Sequence, residues 1–153
     1  MSLIYALIAR KQVVLSEHTD AGGNFPTITR VVLRKIADSK TEMTARSTFT
    51  YDEHHFHFLQ NDELVYLCMA GQDAKTTVVF ALLEEMQRAF QAKYGDRGKT
   101  AIAYAMNDFS QDIKKLMTKY ENNKFIDQFD EVHGKMNSVK NVMVENINKV
   151  RRV

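Results

Sequence analysis

Two stretches of this sequence carry residue types that could do chemistry. Gly95-Asp96-Arg97-Gly98-Lys99-Thr100 ends in the Gly-Lys-Thr of a phosphate-binding loop, where backbone N–H groups and a lysine would cradle phosphate oxygens. That chemistry also needs a glycine five residues before Gly98, and Lys93 stands there. The loop should follow a strand, whereas a segment of helical period precedes it. The reading is a helix end, with a second helix starting near Lys99. His54, His55 and His57 have the side chains of a metal site, but on a strand only His55 and His57 share a face. A zinc site takes three or four converging ligands with partners behind them, and no cysteine is near. Surface and edge-strand histidines account for the cluster. Cys68 lies in an apolar strand with no cation to activate it and reads as a small buried hydrophobe. Gly22-Gly23 leads into a helix N-terminus, but Pro26 removes a donor there. No catalytic constellation emerges, and the expectation is a protein that is not an enzyme, with no cofactor and no metal.

The elements that would position these residues follow from pattern. Leu3–Ala9 and Val13–His18 read as a hairpin, the first strand apolar on both faces as if covered on both sides. Asn24 and Pro26 open a helix whose buried side carries Phe25, Ile28, Val32 and Ile36. Ala37–Arg46 is a polar loop. Thr48–Asp52, His55–Gln60 and Leu64–Ala70 read as three strands joined by tight turns, the last a candidate for the sheet interior. Val78, Val79, Leu82, Leu83, Met86, Phe90 and Tyr94 then repeat at helical spacing. So do Ile102, Ala105, Met106, Phe109, Ile113, Leu116, Met117 and Tyr120. The order ββαβββαα predicts layers of helix around one largely antiparallel sheet.

The chain has 153 residues and a net charge of +2, enough for one domain with an appendage. That net charge is too small to point to nucleic acid or an anionic membrane as the partner. A single cysteine favours a reducing compartment. The appendage is the C-terminal stretch. Phe129, Val132, Met136, Val139, Met143, Asn146 and Val150 advance in alternating steps of three and four, which is the spacing of a heptad seam. So narrow a stripe has nothing to bury against within its own helix, so partner helices or a groove on the domain must cover it. The competing reading makes the tail a third amphipathic helix fixed permanently on the domain.

Several stretches match a known family in order. They are Leu3-Ile4-Tyr5-Ala6-Leu7-Ile8-Ala9-Arg10, Gly22-Gly23-Asn24-Phe25, Phe49-Thr50-Tyr51, Val65-Tyr66-Leu67-Cys68, Tyr94-Gly95-Asp96-Arg97 and Ala103-Tyr104-Ala105-Met106-Asn107. Together they resemble the longin domain of longin-type R-SNAREs, of the tetanus-insensitive vesicle-associated kind. The run Val139–Val150 is similar to the N-terminal half of the SNARE motif of that family. The resemblance implies an α+β fold: a profilin-like α/β/α sandwich with a five-stranded antiparallel sheet, one helix on one face and two on the other. It further implies a longin domain over residues 1–121, a linker over 122–127 and half of an R-SNARE coiled-coil motif over 128–153.

The function so implied is regulation of vesicle fusion. The SNARE motif would zip with Q-SNARE helices into a four-helix bundle. The domain would hold that motif, or coat adaptor and regulatory proteins, in an apolar groove between its first helix and third strand. Phe25, Ile28, Val32 and Ile36 would supply the helix side, Phe49 and Tyr51 the strand side. The alternative is a constitutive longin-fold trafficking adaptor. A membrane anchor is expected beyond the C-terminus, on the cytosolic face of vesicle, endosomal, vacuolar or plasma-membrane compartments. Two departures stand out. The loop before Phe49 is longer than usual, and the central-layer arginine would fall on Val153, with Arg151 and Arg152 out of register.

Overall fold

A computed structural model of the chain describes residues 3–19, 25–38, 46–51, 53–61, 63–121 and 143–146. The elements are β1 (Leu3–Arg10), β2 (Val13–Thr19), α1 (Phe25–Asp38), β3 (Arg46–Tyr51), β4 (His54–Asn61), β5 (Leu64–Gly71), α2 (Thr76–Tyr94), α3 (Ser110–Glu121) and β6 (Met143–Asn146). Asn24, Gly22-Gly23 and most of the polar loop before Arg46 lie outside the described residues, as does the linker over 122–127.

The strands run in the order β2-β1-β5-β4-β3-β6. The first five pair antiparallel throughout. β5 sits at the centre and is buried from Leu64 to Ala70, which is why its sequence is apolar on both faces. Alternation sorts the side chains into two cores. Tyr5, Leu7, Ala9, Phe56, Phe58, Val65, Leu67 and Met69 pack under Ile28, Val32, Leu33 and Ile36 of α1. On the other face Ala6, Ile8, Leu59, Tyr66, Cys68 and Ala70 pack under α2 and α3. Leu3 breaks the alternation and joins the second core, and the register with β5 shifts between Leu3 and Tyr5. The expected sandwich, one helix on one face and two on the other, is the one observed.

Hydrogen bonds tie the layers where packing alone would let them slide. The Arg46 guanidinium donates to Glu84 at 2.5 Å, fastening β3 to α2. Tyr120 donates to Glu85 at 2.6 Å and Lys119 to the same carboxylate at 3.0 Å, fastening α3 to α2.

Two expectations need correcting. The last helix begins at Ser110, not near Lys99. α2 ends at Gly95, whose φ of +58° suits a residue without a side chain, and a 3-10 turn covers Gly95–Lys99. The chain then runs along the free side of β2. Tyr104 N–H donates to Val14 O at 2.7 Å and Met106 N–H to Leu15 O at 3.3 Å. Those bonds satisfy the edge of β2, and a helix there could not make them. Ile102, read as a core position of that helix, is 79% exposed.

The second correction concerns the tail. Met143–Asn146 is not helical. It is a strand that adds to the sheet parallel to β3, in the register Ser47↔Met143, Thr48↔Val144, Phe49↔Glu145 and Thr50↔Asn146. A tail fixed as a helix on the domain does not describe these four residues. The physical reason lies at the sheet edges. β2 is capped by residues 104–106, whereas β3 would otherwise present unpaired backbone groups.

Candidate docking site

β3 has two chemically distinct sides, and both bear on what can dock there. Toward α1 it presents Ser47, Phe49 and Tyr51. Phe49 is 3% exposed and Tyr51 7%, in one buried cluster with Ile28, Val32 and Ile36. Five of the six residues expected to line the groove are thus brought together. The sixth, Phe25, opens α1, but its side chain falls outside the described ones. The Phe49 ring lies 5.3 Å from that of Phe58, so the strand side is braced from β4.

Toward α2 lie Arg46, Thr48 and Thr50. The Thr48 hydroxyl sits 2.8 Å from His57 Nδ1, a hydrogen bond inside the core that crosslinks β3 to β4. His57 is 1% exposed, its ring packs edge-on to Phe80, and its Nε2 has no partner among the described residues. Burial pulls its pKa down to about 3, with the neighbouring His55 adding to the shift. His57 is therefore a neutral core residue and not the surface histidine expected from sequence. His55 and His57 do share a face, 5.6 Å apart. Cys68, opposite His57 on β5, is fully buried, and burial pushes its thiol up.

The third feature is the backbone of β3, which takes β6. Of the expected seam, Met143 and Asn146 lie in that strand, with side chains outside the described ones. Phe129, Val132, Met136, Val139 and Val150 lie outside the described residues altogether. Ser47, Thr48 and Thr50 were not singled out by sequence reasoning. A signal for strand pairing was the run Val142-Met143-Val144, whose two β-branched valines suit a strand at least as well as a helix. The arrangement is a strand addition, in which main-chain pairing holds an extended segment against β3.

Comparison with known proteins bears on whose arrangement this is. The longin family profile, described as "Regulated-SNARE-like domain", matches residues 15–113. "Vesicle-associated membrane protein 7B" of Dictyostelium discoideum is 40% identical over 148 residues, covering 96% of this chain and 55% of that one. "Vesicle-associated membrane protein 711" of Arabidopsis thaliana is 38% identical over 151 residues, covering 98% and 68%. "Vesicle-associated membrane protein 7" of Mus musculus is 32% identical over 151 residues, covering 98% and 67%. The chain thus spans between about half and about two thirds of the length of these relatives. A solved structure titled "The Structure of the Mammalian SRP Receptor" aligns with a TM-score of 0.48 and 18% identity over 81% of this chain and 99% of that one, a likeness too slight to carry weight. Two independent kinds of match, to the family profile and to relatives along nearly the whole chain, agree with the sheet and helix layers described above: the chain belongs to the longin family of regulated-SNARE-like domains.

Proposed function

We propose that this chain is the regulatory domain and the first part of the SNARE motif of a vesicle-trafficking R-SNARE, and that the domain withholds the motif until Q-SNARE helices compete for it. The observation that carries the reading is the pairing of Met143–Asn146 with β3. A residue cannot be an edge strand and a bundle helix at once. Docking and zippering are therefore mutually exclusive at these four positions, and competition operates on backbone conformation as well as on the apolar stripe. Free coat adaptors or other regulatory proteins would meet the same edge and the same Phe49–Tyr51 side of β3.

The energetics suit a switch. Each ladder hydrogen bond contributes roughly 0.5–1.5 kcal/mol net. Ordering the segment costs about 1–2 kcal/mol per residue of backbone entropy. The two nearly offset, so the docked state lies close to balance, and a partner with a modest preference for the helical form displaces it. In the full protein an anchor following the SNARE motif would hold the assembly on the cytosolic face of a vesicle, endosomal, vacuolar or plasma membrane.

Assembly kinetics test this. The full chain and a tail lacking residues 1–121 are mixed with Q-SNARE helices, and the gain of helix is followed by circular dichroism. The full chain should assemble about ten-fold more slowly, the consequence of about 1.4 kcal/mol of protection. Equal rates would remove the regulatory role.

A further inference from the structure

Among the described residues, the two large hydrophobics left exposed are Ile102 at 79% and Tyr104 at 46%. They are two positions apart on the loop that caps β2, and the loop is pinned on both sides of Ile102. Arg10 Nη1 donates to Gly98 O at 3.0 Å and to Ala101 O at 2.7 Å. On the far side, Tyr104 N–H is bound to Val14 O, and the Tyr104 hydroxyl donates to Glu17 at 2.8 Å. Tyr104 also holds a φ of +59°, uncommon for a residue with a side chain. A slack loop would fold its isoleucine inward. This one holds it out.

The same Arg10 bonds set the loop against the β1–β2 turn, so the segment that carries Ile102 lies beside a turn with cations of its own. Lys11 and Arg97 are exposed and Lys99 is half-buried. The facing carboxylates are Asp96, 3.5 Å from Lys99, Glu63 on the adjacent turn, and Glu17 beside Tyr104. Among the described residues Arg10, Lys11, Arg97 and Lys99, with Arg30 acting on Tyr104, outnumber those three carboxylates. A flat protein partner usually meets a contiguous apolar patch of several hundred Å². A single projecting aliphatic side chain, an aromatic ring with its hydroxyl beside it and a basic rim suit the interface of a bilayer instead, where each group finds its own depth.

We propose that the tip formed by the β1–β2 turn and residues 97–104 is a contact site for an anionic phospholipid surface, with Ile102 inserting and Lys11 and Arg97 meeting headgroups. The site lies at the β2 edge of the sheet, the opposite edge from β6, so it operates whether or not the tail is docked. A contact this small is weak alone and gains from a chain already held at the membrane.

Amide spectra of the full chain with phosphatidylcholine vesicles, with and without phosphatidylserine, test it at low salt. Signals of residues 11–12 and 97–104 should be lost selectively when phosphatidylserine is present and return at high salt. Ile102→Glu should abolish the loss, and Lys11→Glu with Arg97→Glu should reduce it. An unchanged melting temperature for Ile102→Glu shows that these changes are not unfolding. No selective loss, an equal loss in Ile102→Glu, or a loss mapping to β3 would overturn the proposal. So would silence with vesicles while Ile102→Glu slows capture by Q-SNARE helices, which would make the tip a protein-binding surface.

Discussion

His57 shows how much one residue can decide. Its imidazole has to be neutral to stay where it is, yet in the unfolded chain it titrates near 6.5. With the folded pKa lowered to about 3, the unfolded state binds the proton first as pH falls. Stability is therefore fully present above about pH 6.5 and is lost between there and pH 3, at about 1.4 kcal/mol per unit. Denaturant melts at pH 7 and pH 5 should differ by about 2 kcal/mol from this group, and His57→Gln should flatten that dependence. A wild-type curve as flat as the variant's would mean that His57 is solvated. Cys68 makes the complementary prediction. With its thiol buried and pushed up, it should resist a thiol reagent in the native protein and react at once in denaturant. At Phe49, truncation to alanine should cost about 3–5 kcal/mol, measured by the same melts, because the ring is buried against Phe58 and α1.

At the scale of elements, Gly98 is the tightest junction. A Cβ there would lie 3.0 Å from Phe90 Cε1 and 3.4 Å from Leu15 Cδ1, both buried side chains. Gly98→Ala should destabilise by about 1–3 kcal/mol on thermal melting and disturb the loop that caps β2. Strands β1 to β5, α1 and α2 were legible in the sequence because each has one dominant period and clear punctuation, such as Lys11-Gln12 between β1 and β2. That Ile28, Val32, Ile36, Phe49 and Tyr51 come together in one cluster was expected by resemblance. What was not legible has a common cause. Ile102 and Ala105 fall at helical spacing with Met106 and Phe109, yet the partner that decides their conformation is the edge of β2, far away in sequence. Met143 and Val144 fit both helix and strand, and the side of β3 away from β4 decides between them. His57 looked like a surface residue because nothing local announces that Thr48 will satisfy its Nδ1. Tertiary context overrode local pattern at each of these places.

For the whole molecule, the two sheet edges are treated differently, and that difference is the basis of the functional account. One edge is paired with residues 104–106, while the other is paired with Met143–Asn146, the segment for which a second use is proposed above. Among the described residues no helix is long and apolar enough to cross a membrane. The decisive measurement follows Met143–Asn146 and Arg46–Tyr51 in one sample by Cα chemical shifts and amide exchange, before and after Q-SNARE helices are added. Before addition, residues 143–146 should show strand shifts and the β3 amides facing them should be protected. After addition, those shifts should become helical while the β3 amides begin to exchange. Helical shifts at 143–146 from the outset, or β3 protection that survives bundle formation, would contradict it.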